Sequence, residues 1–160
     1  MSGKIYFETT IPSFYHETRK DIESLSRHYW TRKWWDEHRH DYELFTSLAV
    51  LQELDSPAYP SAKREKSLHL LRDLPVLGET ARIGEIIRAY QRHKLMPQSH
   101  TGDALHLALA SVHGCDFLLT WNCVHLANPN KLDHIRHVNE RLGLPMPMLL
   151  TPVNLLGTRL

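Results

Sequence analysis

The stretch HTGDALHLALASVHGCDFLLTWN, residues 100–122, contains the pattern that decides the fold. Apolar residues at Leu105, Leu107, Ala108, Leu109 and Val112 cover much of a helix surface, which indicates a deeply buried helix that ends at Gly114. The apolar run FLLT, residues 117–120, follows as a buried strand. The stretch therefore predicts a buried helix that leads directly into a buried strand.

Strands and helices alternate along the rest of the chain. Apolar or β-branched runs predict strands at residues 4–7, at the start of 43–51, at 75–77 and at 148–150. Helical patterns predict helices at residues 21–40, 61–74, 79–94 and 129–142, with Ser61 as a possible cap of the second. A further helix is predicted to begin within residues 43–51, directly after the strand there, and to end before Pro57. This alternation predicts an α/β three-layer fold with a mostly parallel central sheet of about five strands flanked by helices. The length of 160 residues fits a single domain over residues 1–160.

Composition restricts the class of protein. The formal net charge of +1 means that any nucleic acid would be held by a local patch or through metal ions. No run approaches the ~18 apolar residues of a membrane span, and no signal-peptide core is evident, so we expect a cytoplasmic protein. The thiols of Cys115 and Cys123 are expected to be reduced. The 12 histidines include close pairs at 38/40 and 134/137, but no zinc-site spacing accompanies them, so we expect surface histidines.

Oxygen-bearing side chains are predicted at one edge of the sheet, because ligands of parallel sheets bind beyond the carboxyl ends of the strands. Glu8 follows the first strand, Glu53 lies on the helix after the second, and Asn122 follows the fourth. Asp103 opens the helix that leads into that strand and is equally a candidate N-cap. Asp116 precedes the same strand at its opposite end, which favours a cap or a surface acid. Clustered carboxylates repel one another unless a cation neutralises them, and Mg²⁺ or Mn²⁺ prefers such oxygen ligands.

Three further residues are weaker candidates for a role at this edge. Thr9 and Thr120 carry hydroxyls that could orient a carboxylate or a water, while His125 is expected at the surface. The sequence contains no nucleophile elbow, phosphate-binding glycine loop or dinucleotide fingerprint. No rival covalent mechanism is therefore suggested, and a bound metal can activate water and stabilise charge on a phosphodiester undergoing displacement.

The motifs carry a family resemblance in their order: KIYFETTIPS (4–13), AVLQEL (49–54), TGDALHLALA (101–110) and GCDFLLTWN (114–122). Over nearly the whole chain this order is similar to PIN-domain proteins, especially the VapC-like toxins of type II toxin–antitoxin systems. The resemblance implies an endoribonuclease that depends on Mg²⁺ or Mn²⁺ and cleaves RNA with metal-activated water. It implies Glu8, Glu53 and Asp103 as metal-binding catalytic residues with Asn122 as a fourth catalytic residue. Thr9 and Thr120 are candidate supporting residues beside this set, and Asp116 is a weaker candidate acid.

Two positions depart from the pattern of that family. Glu8 stands where the family usually has Asp, and the neutral Asn122 stands where an acid is common. A PIN-like module that binds RNA or protein with weakened chemistry therefore stays open as an alternative. A metal-dependent phosphatase of small phosphoesters is a more distant one.

The resemblance also implies two protein partners, a second copy of the chain and a cognate antitoxin. Tyr29, Trp30, Trp34 and Trp35 point around more than half of the helix predicted at 21–40, so one core-facing stripe cannot bury them all. This predicts that the helix contacts another chain. The alternative is that all four rings fold under the loop after Glu8 and shield the active-site groove.

Overall fold

A computed structural model describes residues 3–156, which contain five strands and seven α-helices. The strands are β1 (Lys4–Phe7), β2 (Glu43–Ser47), β3 (Val76–Leu77), β4 (Phe117–Leu119) and β5 (Met148–Leu150). The helices are α1 (Thr10–Tyr15), α2 (Ile22–His38), α3 (Leu48–Leu54), α4 (Ser61–Leu71), α5 (Arg82–Arg92), α6 (Thr101–Val112) and α7 (Leu132–Arg141). Short 3₁₀ turns occur at residues 39–41, 98–100, 129–131 and 152–155.

The sheet has the strand order β3-β2-β1-β4-β5, and every neighbouring pair is parallel. Ile5 in the central strand is paired with Leu44 on one side and Phe117 on the other. All five carboxyl ends consequently lie along one edge. The predicted parallel α/β sheet of about five strands is confirmed.

The core forms around β1 and α6. Residues 5–7 of β1 are buried because the central strand is covered on both faces. Residues 106–111 of α6 are buried without interruption, as the apolar pattern of that helix predicts. Gly114 adopts a φ of +65° just after α6, a conformation that glycine reaches without a steric penalty.

Helix α2 buries only part of its aromatic surface. Trp34 and Trp35 lie in the core, where the ring of Trp35 is 5.3 Å from the ring of Phe7. Tyr29 is 57% exposed, and its ring lies 4.9 Å from that of the half-buried Trp30. One helix face therefore leaves aromatic surface outside the core.

Two predicted helix caps are wrong. Pro60 occupies the N-cap position of α4 without a side-chain hydrogen bond, and Ser61 is the first helical residue. His100 occupies the N-cap position of α6, because the 3₁₀ turn at 98–100 runs directly into the helix. Asp103 therefore lies inside the first turn of α6 and does not cap it.

None of the helices within residues 3–156 has both the length and the apolarity needed to cross a membrane.

Candidate active site

Glu8 comes directly after the central strand, so its side chain is buried at the carboxyl edge of the sheet. One carboxylate oxygen accepts hydrogen bonds from the Thr10 backbone N–H, at 3.0 Å, and from the Thr10 hydroxyl. That hydroxyl in turn accepts the backbone N–H of Trp121 at 2.8 Å, which connects the ends of β1 and β4. Burial raises the pKa of Glu8, although the charge of His106 and hydrogen bonds from Thr10 and Thr120 act to lower it.

Glu53 lies in the last turn of α3 and faces α6. Its Oε1 is 2.8 Å from Nε2 of His106, and its Oε2 accepts a hydrogen bond from the Thr9 hydroxyl. His106 is buried, and its other ring nitrogen, Nδ1, lies 2.6 Å from the hydroxyl of Tyr6. The hydroxyl of Ser47 lies 2.8 Å from the same Tyr6 oxygen. Both nitrogens of the imidazole are thus held by partners from other elements.

Glu53 and His106 shift each other's pKa toward the charged form. Burial alone raises the pKa of Glu53, but the hydrogen bond and charge of His106 and the Thr9 hydroxyl bring it below its usual range. Burial likewise lowers the pKa of His106, but Glu53, followed by the charges of Glu8 and Asp103, raises it above its usual range. His106 therefore contacts one predicted acid, Glu53, and is influenced by the charges of the other two.

Sequence reasoning missed His106. The signal was its position three residues after Asp103, since residues i and i+3 of a helix share a face. A lone histidine in an apolar run is equally compatible with an ordinary core position, so spacing alone could not distinguish a site residue from a core residue.

Asp103 contributes a carboxylate oxygen that makes no hydrogen bond. Its Oδ2 is buried without a hydrogen-bond partner, although Nδ1 of His100 lies 3.4 Å away. Potential ligand atoms of His100, Asp103 and His125 lie within 4.8 Å of one another. Within residues 3–156, no other group of three or more His, Cys, Asp or Glu residues is this close together. The three predicted acids form no group at that spacing within the described residues.

Asn122 and Thr120 build the turn that follows β4. Oδ1 of Asn122 accepts the backbone N–H groups of Val124, at 3.2 Å, and His125, at 3.0 Å. The Thr120 hydroxyl accepts the backbone N–H of Asn122 at 2.8 Å. The structure thus places Asn122 at the predicted edge, with its oxygen already bonded to the turn.

Asp116 lies at the other end of the sheet. Its Oδ2 accepts the backbone N–H of Lys4 at 2.8 Å, and Lys4 is the first residue of β1. This position is the one that strand polarity predicts, and it separates Asp116 from the other candidate residues.

The residues at the carboxyl edge fit a divalent cation. A buried carboxylate oxygen without a partner is costly, and a cation would compensate the Oδ2 atom of Asp103. Carboxylate and amide oxygens are the donors that Mg²⁺ and Mn²⁺ prefer. A groove of about 590 Å³ reaches this edge at His125, which lies close to Asp103, and Lys131, Lys94 and Gln98 are among its other lining residues.

Comparison with known proteins agrees with this architecture. A search of curated proteins found no match. Among solved structures, the chain is similar to the crystal structure of VapBC2 from Rickettsia felis bound to a DNA fragment from their promoter, with a TM-score of 0.53 and 16% identity over 92% of this chain and 98% of that chain. At this identity the likeness concerns the fold. The family model of the PIN domain matches residues 20–122, and PIN domains are generally nucleases that use divalent metals. Because that match spans more than half of the 160 residues, the chain belongs to the PIN-domain family.

Proposed function

We propose that this protein is a metal-dependent endoribonuclease that hydrolyses RNA phosphodiester bonds, with one PIN domain over residues 1–160. Glu8, Glu53 and Asp103 hold Mg²⁺ or Mn²⁺, and Asn122 assists them. The observation that carries the proposal is the buried, unpartnered oxygen of Asp103, three residues before His106 and its 2.8 Å contact with Glu53. Membership of a family whose domains are generally nucleases supports it.

Each residue has a distinct task in this proposal. When bound, the metal supplies an activated water and stabilises negative charge on the phosphate. His106 keeps Glu53 ionised and fixes its orientation, so it acts as a positioning residue. Asp103 presents its free oxygen, and Asn122 holds the turn that carries His125.

The groove beside Asp103 supports an RNA substrate. Lys94 and Lys131 line it, and lysines along a groove bind the phosphates of nucleic acids. With an overall charge of only +1, this local pair supplies the attraction that the whole chain lacks.

A nuclease assay on mixed RNA with Mg²⁺ or Mn²⁺ tests the proposal. We expect EDTA to abolish cleavage and Asp103→Asn to reduce it by about 10²-fold or more, the scale for removing one electrostatic group at a reacting centre. Asp116→Asn is the matched control, because it makes the same change at the opposite edge of the sheet. Cleavage that survives both EDTA and Asp103→Asn would refute the proposal.

Two observations favour the alternative, a PIN-like module that binds RNA or protein without effective catalysis. The oxygen of Asn122 is already bonded to two backbone N–H groups, and the three acids are not grouped at ligand spacing. Calorimetry separates the two functions. If no divalent metal binds at millimolar concentration while RNA or a protein partner does, the binding module replaces the enzyme.

We also propose that the protein acts in the cytoplasm as the toxin of a toxin–antitoxin pair and forms a homodimer. The similar solved structure is a VapBC2 complex, which supports an antitoxin partner. Helix α2 supports a contact with another chain through its exposed apolar stripe of Ile22 (87% exposed), Leu25 (43%) and Tyr29 (57%). Their i, i+3, i+7 spacing places the three side chains on one face, here called the α2 stripe. An apolar face of this kind typically marks an interaction site.

A further inference from the structure

Three potential metal ligands converge next to the proposed active site from two separate segments. His100 is the last residue of the 3₁₀ turn before α6, and Asp103 lies in the first turn of that helix. His125 lies in the turn after β4, whose backbone N–H groups are held by Asn122. The imidazole rings of His100 and His125 are 4.3 Å apart. The fold thus places two imidazoles and a carboxylate together.

The spacing of these donors suits one tetrahedral metal ion. Ligands at about 2.0–2.1 Å from Zn²⁺ are about 3.4 Å from one another in a tetrahedral site. Nδ1 of His100 and Oδ2 of Asp103 are already 3.4 Å apart. The donor atoms of the whole cluster lie within 4.8 Å of one another, so small side-chain rotations would close the set.

The unsatisfied oxygen of Asp103 is a second indication of a ligand, besides the spacing of the donors. Its Oδ2 is buried and receives no hydrogen bond from either neighbouring imidazole. Buried polar atoms are almost always bonded, and each exception requires an explanation. A cation held between this oxygen and the two rings would supply the missing partner.

We infer that His100, Asp103 and His125 form a binding site for a transition-metal ion of the Zn²⁺ class. Imidazole nitrogens suit Zn²⁺, Co²⁺ or Ni²⁺, whereas Mg²⁺ prefers oxygen donors, so this site differs in chemistry from the carboxylate site. Three protein ligands leave a fourth coordination position open to water or a substrate oxygen. The site shares only Asp103 with the proposed active site, and its existence does not depend on nuclease activity.

The positive charge of Lys131 lies close to the metal site and provides a second test of the inference. Its ammonium lies 3.5 Å from Nδ1 of His125 and 2.5 Å from the Leu95 carbonyl oxygen, to which it donates a hydrogen bond. A positive charge at this distance weakens binding of a metal ion to the same ring. Lys131→Met is therefore expected to raise the Zn²⁺ affinity.

Titration of the untagged full chain tests the inference, with Zn²⁺ followed by calorimetry and Co²⁺ by visible absorption. Loss of even an outer partner of a metal ligand typically costs 10–100-fold in affinity, so His100→Ala and His125→Ala should each weaken binding at least about tenfold. The control is the double variant His134→Ala/His137→Ala, which removes two exposed histidines from α7. It should bind as the wild type does.

Three results would overturn the inference. The wild type could fail to bind Zn²⁺ and Co²⁺, the two single variants could bind as tightly as the wild type, or the control could lose binding to the same extent. Circular dichroism verifies that the variants fold, which is expected for His100→Ala because that side chain is 46% exposed. Loss of RNA cleavage would refute only the proposed function, since Zn²⁺ binding is measured without a substrate.

Discussion

At the scale of single residues, His106 organises the candidate site. It joins Tyr6 on the central strand to Glu53 on α3, and the charges of Glu8 and Asp103 raise its pKa further. A buried imidazole with partners on both nitrogens has one orientation and one role. The position of Glu53 therefore depends on a residue that has no place in the predicted metal set.

Replacing His106 by alanine tests this dependence. The change removes the imidazole that contacts Glu53 and the buried Tyr6 hydroxyl. We therefore expect the free energy of unfolding to fall by about 1–3 kcal/mol. Urea denaturation at pH 7 measures it. His113→Ala is the control, because His113 just after α6 is half-buried and its Nε2 lies 2.7 Å from the Gly78 carbonyl oxygen. Equal losses in the two variants would contradict the role assigned to His106.

At the scale of elements, Glu17 lies in the loop between α1 and α2 and attaches that loop to α4. Its buried carboxylate accepts hydrogen bonds from Nε of Arg19, at 2.9 Å, and from Nη2, at 3.0 Å. Lys63 on α4 contacts the second oxygen at 3.4 Å. The hydrogen bond from Arg19 lowers the pKa of Glu17 to about 2, against the opposing effect of burial.

This ion pair predicts a specific dependence of stability on pH. The folded-state pKa of Glu17 is about 2, below the ordinary 4.5. The contribution of the ionised Glu17 side chain to the free energy of unfolding is therefore complete above about pH 4.5 and is lost as the pH falls toward 2. At pH 7 we expect Glu17→Gln to lower the free energy of unfolding by up to about 3 kcal/mol, and the difference from wild type should shrink toward zero near pH 2. Urea denaturation over this pH range provides the comparison.

The control for this prediction is Glu23→Gln on α2. Glu23 is exposed and pairs with Arg27 at 3.2 Å, and exposed pairs of this kind contribute about 0–1 kcal/mol. Its variant should track the wild type over the whole pH range. A Glu17→Gln variant that does the same would show that the buried pair contributes nothing measurable.

At the scale of the whole molecule, the α2 stripe decides the proposed assembly. Trp34 and Trp35 are committed to the core, so the surface available to a partner is formed by Ile22, Leu25 and Tyr29. An apolar stripe on a chain with little net charge favours self-association.

We therefore expect multi-angle light scattering to give the mass of a dimer for the wild type and of a monomer for Leu25→Glu/Tyr29→Glu. The core should survive, since both side chains are exposed. Val76→Glu on the edge strand β3 is the control, because it charges a similarly exposed apolar residue outside α2. A monomeric wild type that also binds no antitoxin would leave the stripe without the proposed partner.

The sequence by itself determined most of the elements of this protein, although not α1 (Thr10–Tyr15), and the edge of the sheet at which the candidate residues lie. The strands at residues 4–7 and 148–150 and the all-round burial of α6 follow from local patterns of apolar residues, which report burial wherever the chain is covered. Strand polarity was sufficient to place Glu8 and Asn122 at one end of the sheet and Asp116 at the other.

Only the tertiary structure decided which side chains meet. The hydrogen bond between Glu53 and His106 joins residues 53 positions apart in the sequence. The rings of His100 and His125 meet although the two residues are 25 positions apart. Such contacts depend on the rotation of each helix about its axis and on the path of each turn, and local periodicity does not encode these. For the same reason the sequence could offer Asp103 as a cap or as a ligand, and only the helix start at Thr101 placed it inside the first turn with a free oxygen.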